Sequence, residues 1–166
     1  RRAPACALPP RLRIPFPESQ TVGKEIRNPR GNSSRMKLSA VHLIHHTHMD
    51  IGYTDLPGEV LEQHLAHLDR ALVLCQGNAD LPEDRQFRWT CESALLVQEY
   101  LRCRPRAHRE RLLHALRAGW VELQACLTQP LTELACAEEL IRCIGYAAEL
   151  ARQEGFPLEA ATIDDI

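Results

Sequence analysis

The tightest constraint on how this chain can fold is a cadence. Short β-prone runs begin near residues 40, 86, 120 and 158, and each gap between them holds a helical pattern. The runs are "AVHLIHH" (40–46), "QFRWT" (86–90), "WVELQAC" (120–126) and "LEAATID" (158–164). In the third, Val121, Leu123 and Ala125 share one face of the alternation. After Pro57, Leu61, Leu65, Leu68, Leu72 and Cys75 recur at steps of four and three, which predicts a helix closing at Gly77-Asn78. A second helix is expected through "ESALLVQEYLRC". A third opens at Pro105, carries Leu112, Leu113 and Leu116, and stops at Gly119. The fourth runs from about Glu133 to Glu154, ahead of Gly155 and Pro157. This alternation predicts an α/β fold of parallel strands with right-handed crossovers, either a doubly wound sheet or part of a β/α barrel. No helix follows the last run, so residues 38–166 read as part of a larger domain that is incomplete at its C-terminus.

Residues 1–37 have a different character. They carry nine Lys or Arg against only Glu18 and Glu25, a net of +7, and the first 35 residues hold six of the eleven prolines. With few apolar runs to bury, this segment is expected to be disordered. Two readings remain open: a basic targeting arm, or non-native sequence ahead of a true start at Met36. The absence of transit-peptide periodicity and of a signal-peptide core favours the second. Residues 38–166 carry eleven Lys or Arg against twenty acids, a net of −9. The whole chain, at −2, offers no electrostatic reason to expect nucleic acid or a membrane surface as partner. No stretch approaches the roughly 20 apolar residues of a bilayer span. Seven cysteines (Cys6, Cys75, Cys91, Cys103, Cys126, Cys136 and Cys143) show no C-x-x-C pair, as expected for reduced thiols in a cytoplasmic protein.

The chemistry concentrates in "HLIHHTHMDIGYT" (42–54), which holds four of the eight histidines and Asp50. If the first strand continues through "HHTHMD", His46, His48 and Asp50 lie on one face. Imidazole and carboxylate both suit zinc, with bonds of about 2.0–2.2 Å. Gly52 breaks the strand just beyond, so the cluster sits at its C-terminal end, the productive edge of β/α folds. His48 and Asp50 are the expected metal ligands. His42 and His45 are expected as core or rim residues, and His64, His67, His108 and His114 as solvated helix residues. Trp89 and Trp120 are expected in the core. Glu92 and Glu133 could each line a pocket, or simply favour a helix N-terminus.

Here the residues resemble a family. "HHTHMDIGYT" is similar to the His-x-His-x-Asp-x-Gly-Trp motif that opens the catalytic domain of glycoside hydrolase family 38, the α-mannosidases. "FRWTCESALLVQEYL", "RAGWVELQACLTQPLTELACAEELIR" and "AATIDDI" resemble the later blocks of that domain, in order. The resemblance covers about residues 40–166. It implies a zinc-dependent retaining hydrolase of O-glycosidic bonds, α-mannosidase-like and acting on a carbohydrate substrate. By position it implies His48 and Asp50 as ligands of one Zn²⁺. Asp165 would be nucleophile and further ligand, with Asp164 as the fallback. Tyr53 would be a sugar-binding residue where the family usually has Trp, and Glu92 is carried as a second substrate-binding candidate. The general acid and a fourth ligand fall beyond Ile166 in such proteins, so the chain alone is expected to be inactive.

Two other classes compete. A metal-dependent amidohydrolase or phosphoesterase barrel also places His-x-His after its first strand, but "VELQACLTQP" lacks the later histidine such a site needs. A non-catalytic truncated product is the third reading.

Overall fold

The computed structural model describes residues 43–163. The expected N-terminal disorder, the strand start at 40–42, His42, and the proposed nucleophiles Asp164 and Asp165 lie outside the described residues. Four helices and two parallel strands follow in the order α1 (Pro57–Gly77), β1 (Trp89–Cys91), α2 (Ala94–Cys103), α3 (Arg106–Arg117), β2 (Val121–Leu123) and α4 (Ala137–Glu154). A short 3₁₀ turn at Glu83–Arg85 separates α1 from β1.

Helices α1 to α3 bury the stripes their spacing predicts, with Leu61 and Leu113 only partly covered, whereas α4 leaves Ile141 and Ile144 exposed. In α1, Val60, His64, Leu65, Leu68, Ala71, Leu72 and Cys75 face inward. Ala94, Leu96, Val97 and Tyr100 do so in α2, and Leu112, Ala115 and Leu116 in α3. Helix α1 packs against α2 and α3, and α3 against β2. One apolar cluster results, with Leu68, Val97, Tyr100 and Leu112 fully buried at its centre. Trp89 and Trp120 are partly buried against it. Burial pushes the Cys91 thiol up to about 12 and the Cys75 thiol up to about 11, so both act as small apolar residues rather than nucleophiles. Gly119, at φ +70°, closes α3 in a left-handed conformation that costs glycine little and turns the chain into β2.

The two strands pair in parallel with Trp89 opposite Val121, Thr90 opposite Glu122 and Cys91 opposite Leu123. Both outer runs differ from expectation. Residues 43–46 and 158–163 form no regular strand. Among the described residues each has a single backbone bond to this pair or its edge, Thr90 N–H of β1 to the His45 carbonyl (2.8 Å) and Ala125 N–H, just past β2, to the Ala160 carbonyl (2.9 Å). One bond per segment is too few for a ladder, yet it sets the segments in sequential order on either side of the β1–β2 pair. The fourth helix also starts later than its pattern suggests. A turn closes at 131–135 through the Leu131 carbonyl, and the helix restarts at Ala137. Glu139 reaches back to the Cys136 N–H (2.7 Å) as half of a capping box.

Candidate active site at the strand ends

Parallel strands end in loops on one edge of the sheet, and three successive loops meet here. Residues 46–50 follow the first segment, Glu92 follows β1 directly, and Gln129 lies in the loop after β2. Their common centre is the carboxylate of Glu92, whose side chain is only 4% exposed. A charge so enclosed must be compensated by donors. It accepts from His48 Nδ1 at 3.0 Å and His46 Nδ1 at 3.3 Å. The amide of Gln129 adds a short hydrogen bond, and the Met49 N–H approaches at 3.5 Å.

The opposite nitrogen of His48 faces a second carboxylate. Nε2 lies 3.1 Å from Asp50 Oδ1. An imidazole between two carboxylates needs a proton on each nitrogen, or a proton on one and a cation at the other. Two ligand atoms of a tetrahedral zinc site with bonds of about 2.0 Å stand about 3.3 Å apart. The His48–Asp50 pair therefore has the donor chemistry and the spacing for two positions on one divalent ion. Among the described residues no group of three His, Cys, Asp or Glu side chains could hold a metal. His48 and Asp50 supply two donors whose chemistry suits such an ion.

Beside this pair Gly52, at φ +90°, turns the chain away and leaves Tyr53 89% exposed. Such a ring is open to stacking from solvent. His45 stacks on Phe87 with ring centroids 4.9 Å apart, as a rim residue. Glu133 is exposed. His64 departs from its expected surface position. It is only 8% exposed on the inner face of α1, and its Nδ1 makes no hydrogen bond among the described residues. Burial first, then the neighbouring His67, holds it below the ordinary imidazole range, against the opposing pull of Glu92 and Asp50.

Two residues were not singled out by sequence reasoning. Gln129 clamps Glu92, and buried Gln124 accepts from the Thr162 hydroxyl at 2.9 Å. The signal for Gln129 was present in "CLTQP", a polar side chain in the loop directly after a strand.

A parallel strand pair packed by helices, with polar side chains from three successive loops converging on one point, is an α/β arrangement with a candidate site at one edge. The chain belongs to glycosyl hydrolase family 38: residues 38–155 match the model of that family's N-terminal domain. Among solved structures, a protein of glycosyl hydrolase family 38 from Enterococcus faecalis is similar to it in fold, with a TM-score of 0.57 at 18% identity. That likeness covers 71% of this chain and 13% of the bacterial protein, so the chain spans a small part of its neighbour's length. No curated protein matches the chain significantly. No helix among the described residues is long and apolar enough to cross a membrane.

Proposed function

We propose that this chain is the opening part of the catalytic domain of a cytoplasmic, zinc-dependent retaining glycoside hydrolase of α-mannosidase type, built as a β/α barrel. The observation that carries the reading is the 3.1 Å approach of His48 Nε2 to Asp50 Oδ1 at the end of the first segment, within a chain of this family.

In this reading His48 and Asp50 hold one Zn²⁺. When bound, the ion supplies Lewis-acid contacts to sugar hydroxyls and favours distortion of the ring. Tyr53 offers an exposed aromatic face against which a pyranose can stack, although its ring is narrower than the family's usual Trp. Glu92 touches four donors of its own chain, so any contact it makes to sugar would have to share them. Asp165, directly after the run that bonds to the end of β2, attacks the anomeric carbon. A second carboxyl, about 5–5.5 Å from the nucleophile, protonates the leaving oxygen.

The test is Asp165→Ala beside Asp164→Ala in the protein carrying its complete catalytic domain. Asp165→Ala should abolish turnover of an aryl α-mannoside and leave the melting temperature unchanged. Retained turnover rejects Asp165 as nucleophile, and loss confined to Asp164→Ala moves the role there.

A further inference from the structure

His48 can hold a metal through Nε2 only if its ring is turned the right way and its other nitrogen carries the proton. Both conditions are set by whatever accepts from Nδ1. Here that acceptor is Glu92 Oε1, at 3.0 Å. The carboxylate is itself immobilised, because it is buried and its two oxygens are shared among His46, Met49 N–H and the Gln129 amide. It also belongs to a different loop from the histidines, 44 residues away in sequence. The Glu92–His48 bond therefore joins the end of the first segment to the end of β1.

The surrounding groups point the same way. Among the described residues no Lys or Arg pairs with Glu92 or Asp50. Two carboxylates thus flank one imidazole without a fixed cationic side chain to balance them. Negative charge behind a ligand imidazole raises its basicity toward a cation on the far side.

We propose that Glu92 is the positioning residue of the metal site: it fixes the tautomer and ring orientation of His48 so that Nε2 faces the ion, and Gln129 holds Glu92 in place for that task. The proposal rests on the zinc reading above. It separates Glu92 from sugar binding and gives Gln129 a function.

Glu92→Gln keeps the shape of the side chain and removes its charge. In the protein with its complete catalytic domain, zinc affinity would be measured by competition with a chromophoric chelator. The visible absorption of the cobalt(II)-loaded form would be recorded alongside. Wild type should bind one zinc, and Glu92→Gln should bind it about 10–100-fold more weakly with an altered cobalt spectrum. The melting temperature of the metal-free proteins should coincide, which a purely structural role would not give. Equal zinc affinity and identical cobalt spectra overturn the role of Glu92 while leaving the zinc reading intact. A wild type that binds no zinc overturns both. If Glu92→Gln does not fold, anomalous scattering at the zinc edge from wild-type crystals decides. Zinc on His48 Nε2 with Nδ1 on Glu92 supports the proposal. Zinc on Nδ1, or on Glu92 itself, ends it.

Discussion

Two carboxylates anchor two clusters in this molecule, and the contrast between them separates scaffold from site. Asp69, on α1, accepts from the Tyr100 hydroxyl at 2.5 Å, from Arg104 Nε at 3.0 Å and from His108 Nδ1 at 3.1 Å. Arg104 continues to Glu62 at 2.9 Å. These partners sit on α1, α2, α3 and the α2–α3 link, so the network ties the helical layer together and brings its own cation. Glu92 gathers a comparable number of donors, but on loops at the strand ends, and its donors are imidazoles, an amide and a backbone N–H. The first cluster is electrostatically closed. Among the described residues the second holds two carboxylates, Glu92 and Asp50, and pairs with no Lys or Arg.

That contrast can be broken by mutation. The largest effect is expected from Tyr100→Ala, which empties a fully buried site and strips a donor from Asp69. It should cost about 3–5 kcal/mol in denaturant unfolding and leave zinc affinity of the folded protein unchanged. A matching loss of zinc affinity would show that the two clusters are one cooperative unit.

Asp69→Asn should cost about 1–3 kcal/mol, since a charged acceptor is lost beneath a buried hydroxyl. Its pH dependence sharpens the point. Burial alone would raise the Asp69 carboxyl, but the bonds from Tyr100 and His108 and the charge of Arg104 outweigh it and hold it below the usual range. The unfolded chain therefore takes up the proton first. The stabilisation is present above about pH 4 and is lost as pH falls through the native value. Melting curves of wild type should show this acid loss, and those of Asp69→Asn should show less of it.

The smallest effect is expected from His64→Leu. It replaces a buried imidazole, whose Nδ1 makes no hydrogen bond among the described residues, by an apolar side chain, so stability near pH 7 should change by about 1 kcal/mol or less. Because burial holds His64 below the ordinary range, the unfolded state binds its proton more readily. Wild type should lose stability as pH falls below about 6.5, and the variant should lose less. An unchanged slope would remove His64 as the source.

Much of the helical layer was legible in the sequence because each helix is a local object. The step of Leu65, Leu68, Leu72 and Cys75 reveals a buried stripe without knowledge of what covers it. Proline before α3 and glycine after α3 and α4 mark ends for reasons confined to one residue's backbone. The start of α4 was misread because residues 131–135 favour helix locally, while the cap at Cys136 and Glu139 competes and wins. The outer runs at 43–46 and 158–163 looked like strands because their side chains suit one. A strand also needs a partner backbone, and among the described residues each of these makes a single such bond.

The site divides along the same line. By itself the sequence singled out His48 and Asp50, ahead of Gly52, as the place to look for chemistry, from period-two spacing and a turn residue. It also determined the family, through motifs that are contiguous in the chain. Only the tertiary structure decided that Glu92 and Gln129 share one hydrogen-bonded centre with His46 and His48, and that His64 is inside rather than on the surface. The physical reason is distance along the chain. Residues separated by about forty positions leave no periodic trace of one another, and their meeting is set by the register of the strands and the packing of the helices between them.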